Sequence, residues 1–479
     1  MSFTEGDDGN LTPRRGSGGM VSGLSTVADQ ADVLWVCAAL SDADRAAARG
    51  ASGGMLNLDG MGGGSAVRML DIPAAVFHRA YNGVANSTLW FVHHILYDTP
   101  NQPQFGLAFD REWESFRAYN SAFARALADA ADRAPGRSVR AVIQDYHLSL
   151  APRMLAELRP GIAIAHFSHT PWAPPDYYRI LPDRVGREVL DGLLGADHAG
   201  FLCQRWADAF LDCCEQILGA TVDRARQSVS YRGHVTGIGV HPLGVDSGEL
   251  IRRGAEPDVQ ARFAALTEAA GGRKLIVRID RTELSKNIVR GLSAYRQLLT
   301  AHPQWHGRVV HLAFAYPSRH DLPEYREYTA SVQRLATQIV DDFGTPDWDP
   351  LILQVNDDYP RSLAAYRLAD VLLVNPIRDG MNLVAKEGPI LSDRGCALVL
   401  SREAGAAAEL GDAALMINPY DVTGTAEALH AALTMPDVER ARRTAILARA
   451  AAALPPAQWF ADQLAALEPA RLAARAGHV

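Results

Sequence analysis

The chain has 479 residues, with 47 lysines and arginines against 55 aspartates and glutamates, a formal net charge of −8. Hydrophobic residues make up 48% and charged residues 21%, which excludes a disordered chain, a coiled coil and a collagen-like fibre. At about 150 residues per domain the length fits two or three domains, and an acidic balance without a basic stripe speaks against a nucleic-acid partner.

Residues 1–30 are polar and glycine-rich and lack the basic flank, apolar core and cleavage pattern of a signal peptide. Within them Arg14-Arg15-Gly16-Ser17-Gly18-Gly19 is a glycine-rich turn before an expected helix. Its bare N–H groups suit a phosphate. Val21 stands where a third glycine would complete GxGxxG and no Walker lysine follows, so a plain loop fits equally well. Val33–Leu40 is apolar but far short of the ~20 residues that span a bilayer. Gly60–Ser65 reads as a flexible loop, and Glu112–Ala131 as a helix with Trp113, Phe116, Phe123 and Leu127 on one face.

From there a short apolar run leads into a polar cluster again and again. Val139–Ile143 runs into Gln144-Asp145-Tyr146-His147, and Ile162–Phe167 into Ser168-His169-Thr170-Pro171. His241-Pro242-Leu243-Gly244-Val245-Asp246 is the expected crossover between two domains. Leu275–Ile279 then leads to Asp280-Arg281 and Lys286, Val309–Ala315 to Tyr316-Pro317-Ser318-Arg319, Val371–Val374 to Asn375–Gly380, and Ala397–Leu400 to Ser401-Arg402-Glu403. Non-alternating runs of this length predict strands buried on both faces, hence parallel. Helices expected at Ile288–Leu299 and Thr425–Leu433 lie between them. Strand–helix alternation gives an α/β fold, with ligands outside the carboxyl ends of the strands.

Each cluster has a bland reading when taken alone. Arg281 and Lys286 suit a diphosphate leaving group, but taken alone they read more readily as a charged surface. His169 taken alone is more readily structural than catalytic, and Asp145 could be a helix cap. Arg378-Asp379-Gly380-Met381-Asn382-Leu383 with Glu387 is harder to dismiss. Gly380 permits close backbone approach, Asn382 and Leu383 open a helix with free N–H groups, and Asp379 can accept from sugar hydroxyls. Glu387, eight residues on, falls about two turns along one helical face, where it suits a ribose diol. Together the clusters imply a phosphate-bearing, polyhydroxylated ligand. No HExxH, paired-carboxylate or Cys/His metal pattern competes, and the five scattered cysteines suit a reduced cytosol.

The sequence resembles the trehalose-6-phosphate synthase family of retaining glycosyltransferases, glycosyltransferase family 20. The likeness rests on Tyr81-Asn82-Gly83…Leu89-Trp90, Gln144-Asp145-Tyr146-His147, His169-Thr170-Pro171-Trp172, Arg281…Ser285-Lys286, Arg378–Glu387 and Asn418-Pro419-Tyr420-Asp421. It implies a GT-B fold, two Rossmann-like domains facing each other across a deep cleft. Residues 1–243 would bind the acceptor and 244–453 the nucleotide sugar, with 454–479 a helix crossing back to the first domain. It implies Arg281 and Lys286 on the diphosphate, with His169 and Asp379 completing the catalytic set. Gly18, Gly19, Met381, Asn382, Leu383, Val384 and Glu387 would bind the donor. Tyr81, Trp90, Asp145 and Arg319 would hold glucose 6-phosphate. The implied reaction moves glucose from an NDP-glucose, without metal or other cofactor, to glucose 6-phosphate. A cytoplasmic protein, a dimer or tetramer, and neither membrane nor nucleic-acid partners go with it.

Three departures qualify the likeness. The family opens with a strand ending in Ser-Asn-Arg, whereas this chain begins at Met1-Ser2-Phe3, so either the native start lies upstream or the first strand and its arginine are expected to be missing. A glycine-tryptophan pair is replaced by Cys37-Ala38. Val355-Asn356-Asp357-Asp358, expected near the nucleotide base, is acidic. Carboxylates there accept from guanine N1–H and N2–H₂, where uracil offers one such donor, so Asp358 and its neighbour raise GDP-glucose as a donor beside UDP-glucose. A related synthase with another acceptor, such as glucosylglycerol phosphate or an amino-linked cyclitol product, and a silent sugar-phosphate sensor are the alternatives.

Overall fold

The computed structural model describes residues 2–5, 11–14, 33–51, 55–56, 66–134, 136–319 and 322–468. The chain forms two compact units, one of residues 1–242 with 456–479 and one of residues 243–455.

In the first unit, β1 (Ser2–Glu5) pairs antiparallel with β2 (Leu11–Arg14) as a separate two-stranded ribbon. A strand therefore stands at Ser2–Glu5, where none was expected. Phe3 packs on Ala39, Ala47, Ala48 and Met69, and its N–H donates to the buried Asp44 carboxylate at 2.6 Å. The same carboxylate accepts from Leu40 and Ser41 N–H and closes a capping box with Ser41 on helix Asp42–Gly50.

β3 (Leu34–Ala38), β4 (Met55–Leu56) and β5 (Ala66–Leu70) form a three-stranded sheet in the order β3-β5-β4. β6 (Arg140–Gln144), β7 (Ala163–Ser168), β8 (His198–Phe201), β9 (Thr221–Asp223), β10 (Ser228–Tyr231) and β11 (His234–Val240) form a six-stranded sheet in the order β6-β7-β8-β11-β10-β9. Helix Leu107–Asp132 packs Ala124 and Ala128 against Ala141 and Ile143 of β6 and Ile164 of β7. The expected parallel arrangement holds for β6, β7, β8 and β11 and fails at β10 and β9, which are antiparallel. Between Tyr231 and His234 only Arg232 and Gly233 turn the chain, both with positive φ (52° and 75°). Such a two-residue hairpin joins only antiparallel strands.

The second unit is a single six-stranded sheet. Its strands are β12 (Lys274–Arg281), β13 (Val309–Tyr316), β14 (Leu351–Gln354), β15 (Val371–Val374), β16 (Ala397–Ser401) and β17 (Leu415–Ile417). All pairs are parallel, in the order β14-β13-β12-β15-β16-β17. Numbered from its own first strand this is 3-2-1-4-5-6, the doubly wound order of a dinucleotide-binding sheet. Every residue of β15 and β16 is buried, as two-sided coverage by helices requires. The order reverses between β12 and β15, and a crevice opens at the carboxyl ends there.

Among the described residues no helix is long and apolar enough to cross a membrane. All five cysteines are free thiols, four of them buried.

Candidate active site

The second unit brings the strongest sequence candidates together at its switch point. Arg281 ends β12, and a 3-10 turn at Leu284–Lys286 follows. That turn is fixed from below by the buried Arg278, which pairs with Asp280 at 2.7 Å and donates to the Lys286 carbonyl at 3.1 Å. Asn287 takes the left-handed conformation (φ 58°) and donates to the carbonyls of Asn375 and Pro419, so the turn after β12 is pinned to the loop after β15.

Lys286 Nζ lies 2.5 Å from Asp379 Oδ2. Burial alone would weaken its proton, but the charges of Asp379, Glu283 and Asp280 outweigh this and hold its pKa above the usual lysine value. Asp379 Oδ2 also accepts from Asn382 Nδ2 at 3.1 Å, and Asn382 Oδ1 accepts from Ala385 N–H at 3.2 Å. Asn382 is thereby held at φ 88°, a conformation that L-residues keep only where the surroundings enforce it. Met381 is buried, and its carbonyl accepts from Ala406 N–H. Leu383 caps helix Val384–Leu391, which carries Glu387. Burial pushes Glu387 up to about 7, with Tyr366 Oη donating to it at 3.1 Å as a partial offset.

Glu283, which sequence reasoning missed, lies within this cluster and is fully buried. Arg281 Nη1 approaches its Oε1 at 3.1 Å and Ser318 Oγ donates to the same oxygen at 2.9 Å. Arg319, after β13, donates from Nη1 to Tyr325 Oη at 2.8 Å with φ 48°. It is thus on the second unit, with Arg281 and Lys286.

Asp358, expected near the nucleotide base, sits at a helix start. Its Oδ1 caps helix Tyr359–Leu368 by accepting from Arg361 N–H at 3.0 Å, and its Oδ2 pairs with Arg361 and Arg262 at 2.8 and 2.9 Å. Oδ1 thus serves the helix start, while Oδ2 is shared with an arginine of helix Pro257–Ala270; Asp357 of the same segment is exposed.

On the first unit, Asp145 follows β6 with φ 72° and ψ 167°, again a strained non-glycine backbone. Its N–H donates to Phe167 O at 2.7 Å, and its Oδ1 accepts from His169 N–H at 3.3 Å. His169 Nε2 lies 2.8 Å from Gln144 Oε1, so Nε2 carries the proton and Nδ1 is left as an acceptor. Burial, helped by neighbouring His166, lowers His169 to about 3, so the ring is neutral. Trp459 of the carboxyl-terminal helix packs 5.5 Å from it, and Gln463 of that helix accepts from Gln144 Nε2 at 3.4 Å.

Tyr81 lies within a run of π-helix, Arg79–Leu89, and Trp90 directly follows it, a distortion frequent at functional sites. Tyr81 stacks on His147 at 4.8 Å and Trp90 on His94 at 3.8 Å, while Tyr146 approaches both Trp90 and His147. Tyr81, Trp90, Asp145 and His169 thus sit around the turn after β6. Gly18 and Gly19 lie outside the described residues. Among the described residues no group of three or more His, Cys, Asp or Glu side chains is arranged to hold a metal ion.

The profile of glycosyltransferase family 20 matches residues 3–469. The chain is 36% identical over 366 residues to a bifunctional trehalose-6-phosphate synthase/phosphatase of Thermoproteus tenax, covering 76% of this chain and 48% of that protein. It is 34% identical over 432 residues to a probable alpha,alpha-trehalose-phosphate synthase (UDP-forming) of Arabidopsis thaliana, covering 89% and 50%. It therefore spans about half the length of these two relatives; for the UDP-forming synthase of Schizosaccharomyces pombe, 36% identical, the share is 69%. A solved structure from E. coli, bound with UDP-2-fluoro glucose, aligns with a TM-score of 0.84 at 27% identity over 96% of this chain and 97% of that one. A UDP-forming synthase from Burkholderia xenovorans in complex with glucose-6-phosphate aligns with a TM-score of 0.83 at 26% identity, over 94% and 96%.

Proposed function

The chain belongs to glycosyltransferase family 20, and from that premise we propose that it transfers glucose, with retention, from a nucleoside diphosphate glucose to glucose 6-phosphate, forming trehalose 6-phosphate. The observation that carries this reading is the joining of Arg281, Lys286, Asp379 and Asn382 at the switch point of a 3-2-1-4-5-6 sheet. Two cations there suit a diphosphate, and a carboxylate with helix N–H groups suits sugar hydroxyls and phosphate oxygens.

In the reaction the bond from glucose C1 to the diphosphate oxygen breaks and a bond from C1 to the acceptor's anomeric oxygen forms on the same face. The leaving diphosphate takes the electron pair, and one of its oxygens takes the acceptor's proton. No residue of either cluster needs to act as a nucleophile. The protein's part is positioning and charge stabilisation. Arg281 and Lys286 steady the diphosphate, Glu387 the ribose, and Asp379 with the Met381–Val384 backbone the donor glucose. On the first unit, neutral His169 offers Nδ1 to a hydroxyl of the transferred sugar, and Asp145 accepts from sugar hydroxyls. Tyr81 and Trp90 give the acceptor ring apolar faces, while Arg319 holds its phosphate.

The donor is UDP-glucose or GDP-glucose, with Asp357 the acceptor that favours guanine. The test is release of nucleoside diphosphate with UDP- or GDP-glucose against a panel of acceptors. Release with glucose 6-phosphate is expected. Release only with glycerol 3-phosphate or a cyclitol phosphate assigns another acceptor, and ligand binding without release a sensor. For the base, Asp357→Ala should lower the GDP-to-UDP turnover ratio; an unchanged ratio removes the guanine assignment.

A further inference from the structure

Glu283 has no place in the reaction as written, yet it is a fully buried carboxylate beside the site. It lies on the turn that carries Arg281 and Lys286: its N–H donates to Arg281 O at 2.7 Å, and its carbonyl accepts from Lys286 N–H at 3.0 Å. Its Oε1 is shared between Arg281 Nη1 at 3.1 Å and Ser318 Oγ at 2.9 Å. Its Oε2 is buried with no hydrogen-bond partner among the described residues, so nearby charge has to stabilise it. Burial alone would raise its pKa, but Arg281, Arg319 and Lys286 together hold it down to about 2.

These three cations come from two different strand ends, β12 and β13. Asp379 pairs with Lys286, but Arg281, its side chain 56% exposed, pairs with Glu283, and without that anion it would be repelled by its neighbouring cations and turn outward. We propose that Glu283 is a positioning residue for both substrate phosphates: its buried carboxylate is the common counter-ion that aims Arg281 and Lys286 at the donor's diphosphate and Arg319 at the acceptor's phosphate. This rests on the transfer reaction proposed above, with Arg281, Lys286 and Arg319 as the phosphate ligands.

Glu283→Gln keeps the volume and the Ser318 contact and removes only the charge. Its kcat is expected to fall at least tenfold. Its Kd for the nucleoside diphosphate should stay within threefold of wild type or tighten, because the site gains net positive charge. Glu283→Asp, which restores the charge, should recover most of the lost kcat. Wild-type kcat in Glu283→Gln, or equal loss in Gln and Asp variants, overturns the proposal. Should Glu283→Gln not fold, Ser318→Ala, which frees the carboxylate, is expected to lose three- to tenfold in kcat; no loss overturns the proposal. A second readout does not depend on turnover. In arginine-¹³Cζ-labelled full-length protein the Arg281 signal, assigned with Arg281→Lys, should report hindered guanidinium rotation in wild type and free rotation in Glu283→Gln. Identical rotation in both overturns the positioning role. Absence of transfer by wild type with every donor and acceptor overturns the functional reading instead, and leaves the rotation measurement to decide on Glu283.

Discussion

Two glutamates on the second unit show how neighbours, more than burial, decide a carboxylate's state. Burial raises both Glu283 and Glu387. Three cations drag Glu283 to about 2, while Glu387, with only the Tyr366 hydroxyl, stands at about 7. Glu387 therefore titrates in the working range. Only its ionised form accepts both hydroxyls of a ribose diol, so the donor KM is expected to rise as pH falls below about 7. Glu387→Gln should flatten that dependence in initial-rate measurements. The stability consequence has the opposite sign. A carboxyl whose folded value is raised above 4.5 stabilises the fold at pH below that ordinary value, and the contribution is lost as pH rises through about 7. Denaturant unfolding of Glu387→Gln should lack that loss. His169, lowered to about 3, stays neutral across the same range, so its titration should not contribute to the acid limb of the rate profile. Arg281→Ala or Lys286→Ala is expected to lower kcat by on the order of 10²-fold or more through lost leaving-group stabilisation; an unchanged kcat in steady-state assays removes that role.

At the scale of elements, single buried polar side chains tie the turns that carry the site. Asn120 of helix Leu107–Asp132 donates to the carbonyls of Phe116 and His147 and accepts from the N–H groups of Leu150 and Ala151, all within 3.0 to 3.2 Å. It is fully buried, so Asn120→Ala leaves several backbone groups unpaired. A loss of about 1–3 kcal/mol in denaturant unfolding is expected, with a lower kcat because the turn bearing Asp145 and His147 loses its anchor. Much of this layer is legible in the sequence. Val371–Val374 and Val309–Ala315, the latter broken only by His311, are strands because short apolar runs without alternation fit a sheet covered on both faces, and the polar residues after them fall at carboxyl ends by the same token. The π-helix at Arg79–Leu89 is not legible, since its one-residue slip leaves no mark on apolar spacing. Glu283 is not legible either. In sequence it is one charge among Asp280-Arg281-Thr282-Glu283, and its burial exists only once Ser318 and Arg319 arrive from the next strand. Asp358 is the converse case: its acidity drew a base-binding reading, and Pro360 and Arg361 after it also mark a helix start, which its side chain caps.

For the molecule as a whole, the net charge of −8 speaks against phosphate-rich partners only as an average. Three of its cations surround one internal carboxylate at the ends of β12 and β13, and local placement, not net charge, sets the affinity of a site this small. The chain passes from one unit to the other at Leu243 and returns at Pro456. The returning helix then packs Trp459 against His169 and hydrogen-bonds Gln463 to Gln144, so the last described helix is part of the first unit's packing. The most direct measurement is ¹³C NMR of the product formed from NDP-glucose labelled at glucose C1 and unlabelled glucose 6-phosphate. The account predicts one labelled anomeric carbon in α configuration, joined to the anomeric oxygen of the acceptor and formed in step with nucleoside diphosphate. A β-configured linkage, or label appearing only as free glucose, would contradict it.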